Sequence, residues 1–224
     1  MARRIQFTDP HQQRAFDFFN RMNHPHHNVT VQVDLGDLPQ QFKNRKLRFT
    51  EGILYLLCRT ANEVPHFRRR IRGDEIWEHE TVHPSLTVKT AASDTFSFCT
   101  VKYDHDHRRF VEYFRTELAR MQHEPSFADE QGRDDYLFLS SLPWFSFTGL
   151  QHAMPYHPTD SVPRITWGKT FTDHRERLRL PLSVQVHHAV VDGEHLGQFF
   201  QKLEGFVARP EVLFGRVDGL RNTD

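Results

Sequence analysis

The sequence predicts a two-layer α/β sandwich in which a large mixed β-sheet packs against helices. Three observations support this fold class. Amphipathic helical segments and segments of alternating hydrophobicity follow one another in the order helix, strand, helix, several strands, helix, several strands, helix. Apolar residues make up 38% of the 224 positions, and 20 residues are Phe, which is enough for a packed core. No repeat or linker-like segment interrupts the pattern, so residues 1–224 are expected to form a single domain.

The helices are predicted from their starts and from apolar residues at helical spacing. Thr8 and Asp9 precede Pro10, and a capping side chain followed by proline at the first helical position is typical of a helix start. Further helices are expected over 50–64, where Pro65 ends the segment, over about 110–121, and over 194–207.

The strands are predicted where apolar and polar residues alternate. Segment 124–133 is polar and is expected to be a loop. The expected strand regions are 29–35, several strands between 71 and 103 with a hairpin turn at 72–74 and a strand at 95–98, and then 136–139, 145–147, 164–171 and 180–190.

Charge and composition exclude several classes of protein. Lys+Arg and Asp+Glu are both 29, so a nucleic-acid partner is not expected, and the run Arg68 to Arg70 is interpreted as a solvated turn. Cys58 and Cys99 lie in apolar patterns and are expected to be buried free thiols. No stretch of about 20 apolar residues and no leader-like segment is present, so a cytoplasmic protein without membrane contact is expected.

The 16 histidines raise the question of a metal site. His24, His26 and His27 cluster in one segment, and His105 and His107 alternate with aspartates. Zinc ligands usually come in pairs on fixed elements, whereas these clusters lie in loop-like sequence. No metal is therefore expected.

Two adjacent histidines, His187 and His188, end the alternating run 180–190, and Asp192-Gly193 follows closely. A histidine at a strand end can remove a proton from a hydroxyl or thiol near neutral pH. No nucleophilic side chain lies nearby in the sequence, so the proton would come from a bound substrate. This pattern favours group transfer without a covalent enzyme intermediate.

Segment 180–195, Leu-Pro-Leu-Ser-Val-Gln-Val-His-His-Ala-Val-Val-Asp-Gly-Glu-His, resembles the signature of the type A chloramphenicol acetyltransferases. Segment 140–147, Ser-Ser-Leu-Pro-Trp-Phe-Ser-Phe, and segment 165–169, Ile-Thr-Trp-Gly-Lys, resemble two further elements of that family. The similarity runs in order along nearly the whole chain. The His-His-x-x-x-Asp-Gly element alone also occurs in other CoA-dependent acyltransferases.

The resemblance implies a role for four residues. His188 would be the general base that deprotonates an acceptor hydroxyl, and the alkoxide would then attack the thioester of acetyl-CoA. Ser140 would donate a hydrogen bond to the tetrahedral oxyanion, and Thr166 would help to position that intermediate through water. Asp192 would be a structural ion-pair partner that shapes the site.

The resemblance also implies the co-substrate and the assembly. Acetyl-CoA would be a co-substrate rather than a permanently bound cofactor, with Lys169 and Arg48 near its phosphates and Trp144 lining the pantetheine channel. The family forms homotrimers with active sites between subunits. The second substrate would be a small-molecule hydroxyl acceptor, which the family's name gives as chloramphenicol.

The chain departs from the family pattern at three places, of which Val191 is a conservative exchange without functional weight. The family's arginine on the first helix, which pairs with the motif aspartate, aligns here with Gln12, and Arg14 lies about 200° round the helix from it. Asp192 is therefore expected to lack its usual partner or to pair with another arginine. The family's apolar acceptor positions fall here mostly on polar residues, namely Asn23, Pro25, His27, His152, Asp160 and Arg164. Burying unpaired polar groups costs free energy, so these residues favour an acceptor more polar than chloramphenicol, or weak activity on chloramphenicol.

Several of these residues can also have a purely structural role. His187 is expected to be buried and structural, and His195 to be a packing residue. Ser140 by itself could be a strand-end hydroxyl, and Lys169 and Arg48 could be solvated charges.

Three other functions are compatible with parts of the sequence pattern. A catalytically silent CoA-binding or small-molecule-binding protein on the same scaffold is the main alternative. A dehydrogenase-complex core ranks last because no lipoyl domain or flexible linker is recognised. A serine hydrolase is disfavoured because no Gly-x-Ser-x-Gly element occurs. The acceptor, the acyl-chain preference and a role in antibiotic resistance stay open at this point.

Overall fold

The computed structural model of the chain describes residues 1–92, 94–127, 132–155 and 160–215. Helices and strands alternate along the chain much as the hydrophobic pattern predicts. In chain order the elements are β1 (Ala2–Ile5), α1 (Pro10–Asn20), β2 (His26–Asp34), α2 (Leu38–Asn44), α3 (Phe49–Glu63), β3 (Arg69–Arg72), β4 (Glu75–His79), β5 (His83–Lys89), β6 (Phe96–Thr100), α4 (His107–His123), β7 (Tyr136–Leu142), β8 (Arg164–Gly168), β9 (Phe171–Thr172), β10 (Leu178–His187), α5 (Gly193–Ala208) and α6 (Pro210–Phe214).

The larger sheet has the strand order β2-β10-β8-β7-β5-β6, with β9 pairing with β10. β7 runs parallel to both β5 and β8, whereas β10 runs antiparallel to β2 and β8. A smaller antiparallel sheet has the order β1-β4-β3. The prediction of a mixed α/β fold with a large mixed sheet is confirmed.

Local sequence explains where the helices begin. The Asp9 carboxylate accepts a hydrogen bond from the backbone N–H of His11 at 2.8 Å, directly before Pro10, as predicted for α1. Asp106 caps α4 in the same way through the N–H of Arg108 at 2.8 Å. Each cap satisfies an N–H group that the helix itself leaves without a partner.

The core lies between the large sheet and the helices packed on it. β10 is an interior strand of that sheet, between β2 and β8, and Leu182, Val184 and Val186 are fully buried there. α3 supplies an almost continuous buried run from Ile53 to Cys58, and it packs against α5. The predicted helix over 50–64 is thus the most deeply buried helix of the described chain.

A close approach between α2 and α3 yields a stability prediction. A Cβ atom added at Gly52 would lie 2.6 Å from the Phe42 ring, closer than packed atoms can come. Gly52→Ala is expected to destabilise the protein by about 1–3 kcal/mol, because overpacking outweighs the helix propensity of alanine. Gly197→Ala in α5 is the matched control, since nothing lies within 4 Å of its added Cβ. That control should leave stability unchanged or raise it by up to about 1 kcal/mol. Thermal unfolding of both variants at equal protein concentration checks the pair, and equal melting temperatures would contradict it.

Two strand predictions are wrong in detail. Residues 145–147 form a loop rather than a strand, because this segment is tied to the end of β8 by the Ser146 hydroxyl, which donates to the Lys169 carbonyl at 2.6 Å. The strand predicted over 164–171 is interrupted after Gly168 and resumes as β9. The elements β1, α2 and α6 had no expectation from the sequence, and all three are short.

The interpretation of Arg68 to Arg70 as a solvated turn is also wrong. Arg70 is only 1% exposed, and its guanidinium donates to the carbonyls of Phe67 and Asp134 at 3.0 and 2.7 Å and to that of Tyr136. Burial lowers the pKa of Arg70 to about 10. These bonds tie the small sheet to the start of β7, which explains why a charged residue occupies the interior.

Other predictions concern thiols, metals and membranes. Cys58 and Cys99 are buried free thiols, as expected, and burial raises the pKa of Cys99 to about 12. Within the described residues, no cluster of three or more His, Cys, Asp or Glu side chains could hold a metal ion. Among the same residues, no helix has both the length and the apolar character that crossing a membrane requires.

Candidate active site

A row of hydroxyl side chains crosses the middle of the large sheet. Ser140 of β7 lies opposite Thr166 of β8, and Thr166 lies opposite Ser183 of β10. On the other side of Ser140, the Thr87 hydroxyl of β5 donates to Ser140 Oγ at 3.3 Å. Residues at matching positions of neighbouring strands point to the same face. We call these four residues, Thr87, Ser140, Thr166 and Ser183, the hydroxyl row.

The pleat explains why the row is polar while the strands are buried. Alternate residues of the same strands, such as Leu139 and Ile165, are 2% and 0% exposed and face the core. The structure therefore brings together two of the predicted site residues, Ser140 and Thr166, on adjacent strands.

Thr166 contacts His152, one of the residues that the sequence predicts for the acceptor pocket. Thr166 Oγ1 lies 3.0 Å from His152 Nε2, and the backbone N–H of His152 donates to Gln185 Oε1 at 2.9 Å. Burial, with a smaller contribution from Arg164, lowers the pKa of His152. His152 is therefore a neutral imidazole at neutral pH, able to donate to Thr166 or to accept from it.

His188 lies directly after β10, and aromatic rings hold it from both sides. Its ring stacks on Phe19 with a centroid distance of 3.9 Å and an interplanar angle of 4°, and on His27 at 4.3 Å and 16°. Its backbone N–H donates to the Pro25 carbonyl at 2.8 Å. Within the described part of the chain, the buried His188 Nδ1 has no hydrogen-bond partner.

A cavity of about 460 Å³ opens on one side of His188, so the ring is not sealed in the interior. We call it the base cavity. Its lining combines aromatic residues of α1 with polar side chains, among them Gln12, Phe19, His66, Arg69, His188, Asp192 and His195.

One chain does not bring His188 and Ser140 together. Ser183, the member of the hydroxyl row on β10, precedes His188 by five residues, or roughly 16 Å at about 3.3 Å per residue of strand. Ser140 lies a further two strands away, on β7. The predicted base and the predicted oxyanion donor therefore occupy separate places on the surface of a single chain.

Asp192 contacts a histidine and not an arginine, which agrees with the expectation that it lacks its usual partner and not with the alternative of another arginine. Its carboxylate caps α5 by accepting the backbone N–H of His195 at 3.0 Å, and His195 Nδ1 lies 2.8 Å from Asp192 Oδ1. Burial raises the pKa of Asp192, but the hydrogen bond and the charge of His195 outweigh it and hold the pKa below its usual value. Gln12 faces the same cavity without replacing the family's arginine as the partner.

His187, the first histidine of the pair, is buried as predicted and is only 1% exposed. Its ring meets His26 edge-on at a centroid distance of 5.1 Å. Burial lowers the pKa of His187 to about 4, so this ring is neutral at neutral pH. The two adjacent histidines therefore have different environments.

Trp144 and Lys169 lie in two loops that follow β7 and β8. The loops are joined by a hydrogen bond from the backbone N–H of Lys169 to the Phe145 carbonyl at 3.0 Å. Trp144 is 73% exposed, which is unusual for so large an aromatic side chain. Arg48 is exposed on a different element, at the N-terminus of α3, where its backbone N–H donates to Glu51 at 2.8 Å.

The predicted polar acceptor positions form paired groups rather than isolated charges. Arg164 binds both carboxylate oxygens of Asp160, at 2.9 and 2.6 Å, and His26 Nε2 lies 2.7 Å from the Asp160 carbonyl. Burial raises the pKa of Asp160, but Arg164 outweighs burial and keeps the carboxylate ionised. Because Asp160 and Arg164 pair with each other, burying their charges costs less free energy than burying unpaired charges, which the sequence alone suggested.

A group of aromatic rings that was not predicted from the sequence lies beside the hydroxyl row. Phe98 of β6 lies opposite Thr87, and its ring centroid is 5.8 Å from that of Phe96 and 5.0 Å from that of Phe127. Phe96 and Phe127 are 43% and 55% exposed. We call Phe96, Phe98 and Phe127 the phenylalanine cluster. Two phenylalanines on one face of the strand predicted over 95–98 were the available signal.

Comparisons with known proteins identify the family of the chain. A family model described as chloramphenicol acetyltransferase matches residues 2–204. Chloramphenicol acetyltransferases of Escherichia coli and Klebsiella sp are each 29% identical to the chain over 202 residues, covering 90% of this chain and 92% of each relative.

Solved structures give the same result. A chloramphenicol acetyltransferase superposes with a TM-score of 0.79 at 25% identity and covers 92% of this chain and 100% of its own. A dihydrolipoamide acetyltransferase of Azotobacter vinelandii shares the fold, with a TM-score of 0.64 at 20% identity over 84% of each chain. The chain therefore belongs to the chloramphenicol acetyltransferase family and is an acyltransferase.

Proposed function

We propose that this protein transfers the acetyl group of acetyl-CoA to a hydroxyl of a small-molecule acceptor, with His188 as the general base. The position of the stacked His188 ring is the main support for this proposal, because the ring borders an open cavity. Its Nδ1 atom is buried, which leaves Nε2 as the nitrogen able to contact a substrate. His188 removes the proton of the acceptor hydroxyl, and the alkoxide attacks the thioester carbonyl. The C–S bond then breaks, and the imidazolium returns the proton to the CoA thiolate. No permanently bound cofactor is needed.

Ser140 is proposed to donate to the oxyanion of the tetrahedral intermediate. Its hydroxyl already accepts from Thr87, so the Ser140 hydrogen is free to point at a substrate. Thr166 lies beside Ser140, and its bond to His152 holds it in a fixed orientation. Donors fixed in advance stabilise developing charge without reorganisation during the reaction.

The active site is proposed to form between copies of the chain in a homotrimer. The separation of His188 from Ser140 within one chain supports this, because the base must then face the Ser140 of a neighbouring copy. The exposed Trp144 and Phe145 support it as well, since aromatic side chains left open on one chain are typical of surfaces covered by a partner or a ligand.

The CoA thioester is proposed to enter from the loops that follow β7 and β8. Trp144 would line the pantetheine path, and Lys169, on the loop bonded to that of Trp144, would meet a phosphate. Arg48 would contribute a second positive charge from the N-terminus of α3. Acetyl-CoA is an intracellular metabolite, and this fits the predicted cytoplasmic location and the two free thiols.

The acceptor is proposed to be chloramphenicol or a more polar alcohol with an apolar part. The paired Asp160 and Arg164, together with His152, offer hydrogen-bonding groups on one side. The phenylalanine cluster offers an apolar surface beside Ser140 and Thr87. An amphipathic acceptor would use both.

The proposal is tested by measuring CoA thiol release from acetyl-CoA in the presence of chloramphenicol and of a panel of polar and aromatic alcohols. His188→Ala serves as the blank. We expect acceptor-dependent thiol release that is highest for alcohols carrying both a ring and further polar groups. Tight CoA binding without transfer to any alcohol or amine would instead favour the catalytically silent binding protein, for which Gln12 in the place of the family's arginine is the motivating observation.

A further inference from the structure

A short turn links the proposed base to a helix terminus. The backbone N–H groups of Val190 and Val191 both donate to the His187 carbonyl at 3.1 Å, and Asp192 then caps α5. Only three residues separate His188 from Asp192. Any movement of Asp192 is therefore transmitted to His188 through a tightly bonded turn.

The anchor of this turn is an aspartate–histidine contact. His195 Nδ1 lies 2.8 Å from Asp192 Oδ1 and 3.2 Å from the backbone nitrogen of Asp192. The cap itself uses the backbone N–H of His195, so removal of the His195 side chain leaves that hydrogen bond in place. The His195 side chain adds the second bond of this reciprocal cap, because the backbone N–H of Asp192 donates to His195 Nδ1, and it thereby fixes the position of Asp192.

The His195 ring is itself held by another ring. It stacks on His66 at a centroid distance of 3.3 Å and an interplanar angle of 24°. Burial, followed by the charge of Arg69, lowers the pKa of His66 to about 3, so this ring is neutral at neutral pH. Burial likewise lowers the pKa of His195. His66, Asp192, His195 and His188 all border the base cavity, and Gln12 of α1 reaches the same space.

We propose that His195, supported by His66, is a positioning residue for the base: it fixes Asp192 and hence the turn that carries His188. This inference rests on the proposed function, since it concerns the same site. An arginine at position 12 could hold the Asp192 carboxylate instead, because Gln12 borders the cavity in which Asp192 lies. In this role His195 acts on the base through Asp192, so it is a positioning residue and not a catalytic one.

The test compares three variants: His195→Ala, the double variant His195→Ala/Gln12→Arg, and Gln198→Ala. Gln198 is an exposed residue one turn further along α5, and its variant is the matched control. His195→Ala should lower kcat about 10- to 100-fold with KM for acetyl-CoA unchanged, because loss of orientation at the base slows chemistry and not CoA binding. Adding Gln12→Arg should restore at least half of the lost activity, and Gln198→Ala should match wild type. The melting temperature of His195→Ala should stay within a few degrees of wild type.

Unchanged kcat in His195→Ala, a fall in kcat that accompanies loss of folding, or no recovery on adding Gln12→Arg would each overturn the inference. A second readout needs no turnover. The ring protons of His188 should show a large ring-current shift from Phe19, and NMR of ¹³C-histidine-labelled protein should record a smaller shift in His195→Ala. A wild type without thiol release would refute the proposed function, while the NMR comparison would still decide whether His195 positions His188.

Discussion

Replacement of His188 by alanine is expected to lower kcat for acetyl transfer at least ~10³-fold, with KM for acetyl-CoA changed little. The reason is that alanine cannot accept the hydroxyl proton, and no other described side chain is held where His188 is. His187, its neighbour in sequence, is buried and meets His26 instead of the base cavity. Steady-state thiol release measures the effect.

His11→Ala is the control for this variant, because His11 is an exposed histidine on α1 outside the base cavity. The control should retain wild-type kcat. If His188→Ala retained more than a tenth of wild-type kcat with the fold intact, His188 would not be the general base.

The second large effect is expected for Ser140→Ala, which should lower kcat about 10²–10³-fold. The loss reflects one missing donor to the oxyanion, while the Thr87 hydroxyl and the strand pairing remain. Ser141→Ala is the matched control, because adjacent residues of a strand point to opposite faces. Equal activities of the two serine variants would exclude Ser140 as the oxyanion donor.

The same two variants test whether the site lies between chains. Refolding an equal mixture of His188→Ala and Ser140→Ala chains should restore activity, because some sites then combine an intact His188 from one copy with an intact Ser140 from the next. With random assembly, about a quarter of the sites receive both, so the mixture should reach about a quarter of wild-type activity. A mixture no more active than its parents would mean that both residues of a site come from one chain.

Much of the fold follows from periodicity in the sequence. The capped start of α1, the buried helix α3 and the long strand β10 were all predicted because their signals are local: a side-chain cap, an apolar helix face and strict alternation. Segment 145–147 was predicted wrongly because its alternation comes from packing against Gly168 and not from strand pairing. Arg70 was misassigned because two of its carbonyl partners, Asp134 and Tyr136, are more than 60 residues away in the sequence, where no local pattern reveals them.

The candidate site was predictable only in part. The resemblance selected His188, Ser140, Thr166 and Asp192, and the strand register places Ser140 beside Thr166. The pairing of Asp192 with His195 was available in the spacing of the two residues across the first turn of α5, but the stack of His195 on His66 depends on tertiary structure. The phenylalanine cluster likewise depends on how β6 meets the segment that follows α4.

The three-ring stack of Phe19, His188 and His27 has a consequence for the kinetic scheme. An imidazole clamped between two parallel faces cannot turn over to present its second nitrogen during a catalytic cycle. The same nitrogen therefore takes the proton from the alcohol and hands it to the departing sulfur. Because the proposed transfer is direct, without an acylated side chain in between, both reactants are expected to be bound at the same time. Double-reciprocal plots should then intersect, the mark of a sequential two-substrate reaction, instead of running parallel as they do when an acylated enzyme is released between half-reactions.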